Sequence, residues 1–222
     1  MNKMFRKELR LSSNAQLIVF TALAVLMLIP SFPPAAPFIY TIAGIATVFP
    51  RWLANHDIEY SMLLPVRKAD IVRGKVAFTV FYELLAMVVG ALCVLIRVFA
   101  IAPMIEAQGG EISQFDISTS PTIGLFGFIF LAGGIANLIL FPLYFRNPFK
   151  RLTMPPLLAI FAYIAIAVVG TVVIAYVPVF RSYETDGLIT QCLTLCVGAL
   201  AFLFITWLGS HISVKKFENI DL

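Results

Sequence analysis

The chain has 222 residues and a formal net charge of +4; 60% of its residues are hydrophobic and only 13% are charged, and its mean hydropathy is +0.94. So little charge cannot cover so much apolar surface in water, which excludes an ordinary soluble domain and makes lipid the solvent. The basic excess is no nucleic-acid signal, because the charges lie in short clusters between apolar runs, as membrane topology requires.

The first segment, "MNKMFRKELRLSS" (1–13), predicts a short interfacial helix. Met4, Phe5, Leu9 and Leu11 would point toward the acyl chains, and Lys3, Arg6, Lys7 and Arg10 toward lipid phosphates. A charged start before an apolar run also fits a signal peptide. However, Pro30, Pro33, Pro34 and Pro37 follow, then a second apolar run, with no clear small-x-small cleavage site, so the first run is read as a retained span.

A span needs roughly 20 mostly apolar residues. Six runs meet that demand: about 12–31, 35–53, 76–101, 121–145, 155–178 and 188–210. The first two are short and joined by a proline-rich turn, which predicts a tight hairpin. Lys3, Arg6, Lys7 and Arg10, then Arg51, Arg67, Lys68, Arg73 and Lys75, then Arg146, Lys150 and Arg151, and finally Lys215 and Lys216 fall on one side of these spans. The other side carries only Arg97 and Arg181, with Glu106, Glu111, Asp116, Glu184 and Asp186. Positive charge marks the cytoplasmic side. The expected fold is therefore an all-α polytopic membrane protein with six transmembrane helices and both termini cytoplasmic. It forms a single transmembrane domain with no soluble domain attached.

The inner loop between spans 2 and 3 reads "RWLANHDIEYSMLLPVRKADIVRGK" (51–75). Asn55 or Asp57 can cap a short helix in which Ile58, Met62 and Leu63 recur at helical spacing. Pro65 disfavours a helical conformation at Leu64, so that helix should end there. A second helix should start near Lys68 and run into span 3, with Asp70 in its first turn. Arg67, Lys68, Arg73 and Lys75 are explained as the inner anchor of span 3. The apolar bend, Met62 to Val66, is not: exposed apolar residues rimmed by charge either dip into lipid or meet a partner.

No GxxxxGK[ST], HExxH or GxSxG motif is present, and His56 and His211 form no metal pair. Cys93, Cys192 and Cys196 lie in apolar runs without a CxxC pattern and read as packing residues. Glu83 is the one carboxylate clearly inside a span. It either pairs with a basic group or with water near the inner interface, or it belongs to a transport path. In span 4, Gly124, Gly127, Gly133, Gly134 and Ala136 allow close helix approach, and Asn137 can bond across helices or touch substrate. Pro142 frees a carbonyl near the inner end. Arg97 should snorkel to the outer interface.

Three stretches together resemble a known family: "KELR" at 7–10, "LLPVRKADIVRGK" at 63–75 after the acidic Asp57 and Glu59, and "PLYFRNPFKR" at 142–151. They resemble the permease subunits of ATP-binding-cassette exporters of the second type, most closely the small permeases that export phenol-soluble modulins and similar amphipathic peptides. One position departs from that pattern. Where the family often has a helix-capping serine after leucine-proline-valine and a glutamate three residues later, this chain has Arg67 and Asp70, so the cap must be weak or come from elsewhere.

The resemblance implies export of an amphipathic or hydrophobic substrate, driven by a separate cytoplasmic ATPase that carries the ATP and Mg, with no cofactor on this chain and no nucleic-acid partner. It further implies a second permease copy, identical or paralogous, and a coupling helix at Asp57, Ile58, Glu59, Met62, Leu63, Leu64, Pro65, Val66 and Arg67 that docks on the ATPase. The runner-up reading is a transporter or channel working without an ATPase; the spans lack the charged relay that ion coupling would need. A membrane enzyme or scaffold is the third.

Overall fold

The computed structural model describes residues 2–29, 32–101, 104, 122–149, 154–180 and 185–220. Glu106, Glu111, Asp116 and Glu184, with Lys150, Arg151 and Arg181, all used in the topology argument, lie outside the described residues. Among the described residues all regular structure is helical: α1 (Asn2–Leu11), α2 (Ala15–Ala22) with a 3-10 continuation (Leu23–Leu28), α3 (Ala36–Ala46), α4 (Val48–Ala54), α5 (Asp57–Leu63), α6 (Lys68–Ile96) with a π-helical end (Arg97–Ile101), α7 (Ile123–Tyr144), α8 (Met154–Tyr176), a 3-10 turn (Pro178–Phe180) and α9 (Thr185–Glu218).

Four of these helices are long and apolar enough to cross a membrane: Lys68–Ile101, Ile123–Tyr144, Met154–Tyr176 and Thr185–Glu218. They coincide with the last four expected spans. The first two expected spans are shorter: Ala15–Leu28 is one helical unit, and the second run is divided. The chain turns by 93° between α1 and the Ala15–Leu28 unit. Asn14 starts that unit, its side chain accepting a hydrogen bond from the Leu17 amide at 2.7 Å, a normal N-cap. The second run divides at Thr47 into α3 and α4. Pro50 accounts for the division, since it has no N–H for the Ala46 carbonyl four residues back and its ring crowds that carbonyl.

Contacts fix the directions. A Cβ built on Gly198 of α9 would collide with the Gly127 carbonyl of α7, while Gly134 faces Phe202 and Gly209 faces Leu138. Partner numbers rise together, so α7 and α9 run parallel, backbone against backbone. Gly170 of α8 meets Phe128, whereas Tyr163 shares a cavity with Gly133; α8 therefore runs opposite to α7. Lys68, at the start of α6, donates to the Ile220 carbonyl at 2.5 Å, which sets α6 antiparallel to α9.

The two shorter segments follow α6 too. Ser13 accepts a hydrogen bond from the Tyr82 hydroxyl, and Met27 and Phe38 lie against Gly90. Trp52 packs on Phe78. Residues 13 to 27 thus run along α6 in its own direction, and residues 38 to 52 return.

One end of the bundle consequently collects α1, α4, α5, the start of α6 and the ends of α7 and α9. An aromatic core fills it: Phe49 lies 4.8 Å from both Trp52 and Tyr144, and Phe145 lies 5.4 Å from Phe217. Lys216 donates to the Pro142 carbonyl at 3.2 Å, satisfying one of the last carbonyls of α7 with a basic side chain.

Candidate functional site

The short helix α5 is set by local chemistry on both sides. Before it, His56 takes a left-handed conformation (φ 48, ψ 32), uncommon for a non-glycine residue, and its Nδ1 is 2.8 Å from Glu59 Oε2. Neither Asn55 nor Asp57 caps the helix, because His56 is the N-cap and makes no side-chain cap bond. After it, Leu64 is extended (φ −78, ψ 150), as the following Pro65 requires. Arg67 precedes α6 without a side-chain cap bond, and Asp70 occupies the first turn.

Asp57 is buried and faces inward to a cluster of four charges. Lys75 Nζ pairs with Asp57 Oδ2 and lies 3.2 Å from Glu8 Oε1. Lys7 Nζ donates to Asp57 Oδ1 at 2.6 Å and to Ser61 Oγ at 2.7 Å, and also lies 3.2 Å from Glu8 Oε1. Ser12 Oγ donates to Glu8 Oε2 at 2.6 Å and accepts from Trp52 Nε1 at 2.6 Å. The Trp52 ring also lies under the Lys75 ammonium, 3.8 Å from centroid to Nζ, a cation–π contact. Two lysines balance two carboxylates, and the hydrogen bonds supply what water would otherwise give. Burial alone would raise the Asp57 carboxyl. The Lys75 charge, with the Lys7 hydrogen bond, more than offsets it and holds the group below its ordinary value.

This cluster corrects the anchor reading of Lys75, which is fully buried. Its position carries a signal: Ile71, Lys75, Phe78 and Tyr82 share one helix face, and all are buried. The cluster also corrects the reading of Lys7 as a residue facing lipid phosphate: its side chain turns inward to Asp57 and Ser61. Glu8, Ser12, Trp52 and Ser61 are the other members to which sequence reasoning gave no role. Nothing local marks them, since Glu8 and Lys75 are 67 residues apart.

Of the expected coupling residues, Asp57 and Ile58 are buried and Met62 packs partly against the core. Glu59 and Leu64 are half-buried, while Pro65, Val66 and Arg67 are exposed. Leu63, 77% exposed, and Tyr60, 57% exposed, stand out from the helix; Tyr60 was not anticipated. In α1 the inward face is Met4 and Glu8, lying against α6 at Gly74 and Lys75. Phe5 and Leu9 are half-buried, Arg6 and Arg10 are exposed, and Leu11 is 62% exposed.

Glu83 and Asn137 meet deeper in the bundle. The Asn137 amide donates to Glu83 Oε2 at 2.9 Å and to Thr206 Oγ1 at 3.3 Å, joining α6, α7 and α9. Of the alternatives for Glu83, pairing with a basic side chain is not what the described residues show; the carboxylate meets this neutral amide. The adjoining cavity gives about 20 Å³ to the centre of a water-sized sphere, too little for a peptide.

These helices define a multi-pass membrane protein whose polar side chains concentrate at one end and beneath one short helix. The sequence profile of the ABC-2 family transporter protein matches residues 3–218, and the chain belongs to this family. It is a permease subunit of an ABC transporter, the class that works with an ABC ATPase. No curated protein and no solved structure matches the chain.

Proposed function

We propose that this chain is the export permease of an ATP-driven transporter, moving an amphipathic or hydrophobic substrate outward from the cytoplasm across the plasma membrane of a bacterium. A peptide toxin, an antimicrobial peptide or a lipid-like molecule is the substrate class. The observation that carries the reading is α5: a short helix with Leu63 and Tyr60 exposed, fixed by buried charges to α1 and α6, at the basic end of the bundle. A free-standing anchor loop needs no such bracing. A helix that receives force does.

In this reading the basic end is cytoplasmic and both termini lie there. The path of residues 13–27 along α6 and the return of residues 38–52 support two further crossings, for six in all. A partner ATPase, holding ATP and Mg, docks on the outward face formed by Glu59, Tyr60, Leu63, Leu64, Pro65, Val66 and Arg67. Asp57, Ile58 and Met62 act behind that face, joining it to the core. Closure of two ATPases then moves α5, α1 and the base of α6 as one body in each of two permease copies, identical or paralogous. α1 lies on the lipid surface, with Arg6 and Arg10 available to phosphates and Phe5 and Leu9 beneath them.

The test is co-purification with an ABC ATPase co-expressed in the same cells, and ATP-dependent uptake of a fluorescent amphipathic peptide into inside-out vesicles. Leu63→Asp is expected to insert normally yet lose the ATPase and the uptake. A variant that retains both rejects the docking face. Peptide uptake that proceeds unchanged without ATP rejects the ATP-driven reading.

A further inference from the structure

Glu83 stands apart from the ionic cluster at the basic end, and the docking reading has no use for it. Its Oε2 accepts from Asn137, but Oε1 is buried and has no hydrogen-bond partner among the described residues. Oε1 lies 3.6 Å from the position a Cβ would take on Gly133, against a stretch of α7 that offers it no side-chain donor. Across the same cavity is Thr41 of α3, whose Oγ1 is likewise buried and without a partner. Ala86, Met87, Ile129, Phe130 and Phe202 make up much of the remaining wall, and Tyr163 is the one other titratable side chain lining it. Two residues, each with an orphaned oxygen, therefore line one small cavity where α3, α6, α7, α8 and α9 meet.

The chemistry of a guest follows. A carboxylate without a cation is among the most costly groups to place inside a membrane. An amide donor reduces that cost and leaves the charge in place. The cavity's space of about 20 Å³ is enough for one water-sized particle, for which roughly 10–15 Å³ suffices. A guest of that size that carries one positive charge and interacts with both Glu83 Oε1 and Thr41 Oγ1 satisfies every unmet demand at once.

We propose that Glu83 and Thr41 form an internal cation site within a single permease copy. The guest is a proton carried with a water molecule; a metal ion needs more oxygens than this largely apolar wall offers. It is separate from the path of the exported substrate, which the cavity is too small to admit. Because Asn137 ties Glu83 to Thr206, occupancy neutralises the carboxylate around which α6, α7 and α9 are joined. The arrangement of those helices is then linked to the concentration of that cation.

Infrared difference spectroscopy of the full-length permease in lipid nanodiscs tests this, on the parent, Glu83→Gln and Thr41→Val, with pH and sodium-for-potassium exchange as the variables. With a proton as guest, the parent shows the carbonyl stretch of a protonated carboxyl that is missing in Glu83→Gln and displaced in Thr41→Val. A carboxylate stretch that shifts when sodium replaces potassium, and is lost in Glu83→Gln, would make a metal ion the guest and overturns the proposal. An ionised Glu83 overturns the proposal, as does a spectrum that Thr41→Val leaves unchanged. Thr41→Val alters no charge and reads the site should Glu83→Gln fail to fold.

Discussion

Lys75 and Asp57, 18 residues apart in the chain, form an ion pair inside the protein, with Lys75 fully buried. Removing one charge strands the rest. Lys75→Met leaves Glu8 and Asp57 sharing Lys7, and breaking a buried pair in this way costs about 3–5 kcal/mol. Lys75→Met combined with Asp57→Asn restores neutrality, so the double variant should be less destabilised than the sum of the two single ones. Thermal unfolding in detergent measures all four proteins. Strict additivity would mean that the residues do not act as a unit.

Acid should open the same cluster. Asp57 is held below its ordinary 3.8, so near that pH the folded chain binds fewer protons than the unfolded one. Its contribution to stability is complete above about 4 and is lost as pH falls through the lowered value. A melting temperature that falls below pH about 4 in the parent, and falls less in Asp57→Asn, is the expected result.

The two faces of α5 separate in a folding assay. Ile58 is 3% exposed, and Ile58→Asp puts an unpaired charge in the core, which should prevent a stable fold. Leu63→Asp changes a residue on the outer surface, so its melting temperature should match the parent's within about 0.5 kcal/mol of stability. Equal damage from both would contradict the assignment of inward and outward faces.

The α7–α9 seam is governed by missing side chains. Gly198→Ala meets the Gly127 backbone, which cannot turn aside as a side chain would, and an overpacking cost of about 1–3 kcal/mol is expected. Gly133→Ala meets its nearest neighbours at 3.4 and 3.6 Å, ordinary contact, and should cost under about 1 kcal/mol. Paired unfolding curves of the two variants make the comparison.

How much of this is legible from residue order depends on the range of the force involved. The end of α5 follows from Pro65 acting on its immediate neighbour Leu64, and α6 starts at Lys68 with Asp70 in its first turn, as expected. The four long spans are equally local, since each is a continuous apolar run. Pro50, three residues from the end of the second expected span at 53, was the overlooked local sign that α3 and α4 separate. The ionic cluster is another matter. A lysine at a membrane edge looks the same in sequence whether it meets lipid phosphate or a carboxylate from the start of the chain, and Glu8 and Asp57 reveal their partners only when the helices meet. Glu83 is similar: residue order leaves its partner open, because its neighbour is Asn137, 54 residues away.

The cluster also constrains the order in which the protein can be made. Glu8 and Asp57 are synthesised before Lys75, so until residue 75 has left the ribosome the emerging chain holds two of these carboxylates against Lys7 alone. The corner joining α1 to α5 must stay wet and open during that interval. It can dry and close only once the start of α6 arrives, which makes Lys75 the residue that completes the cluster.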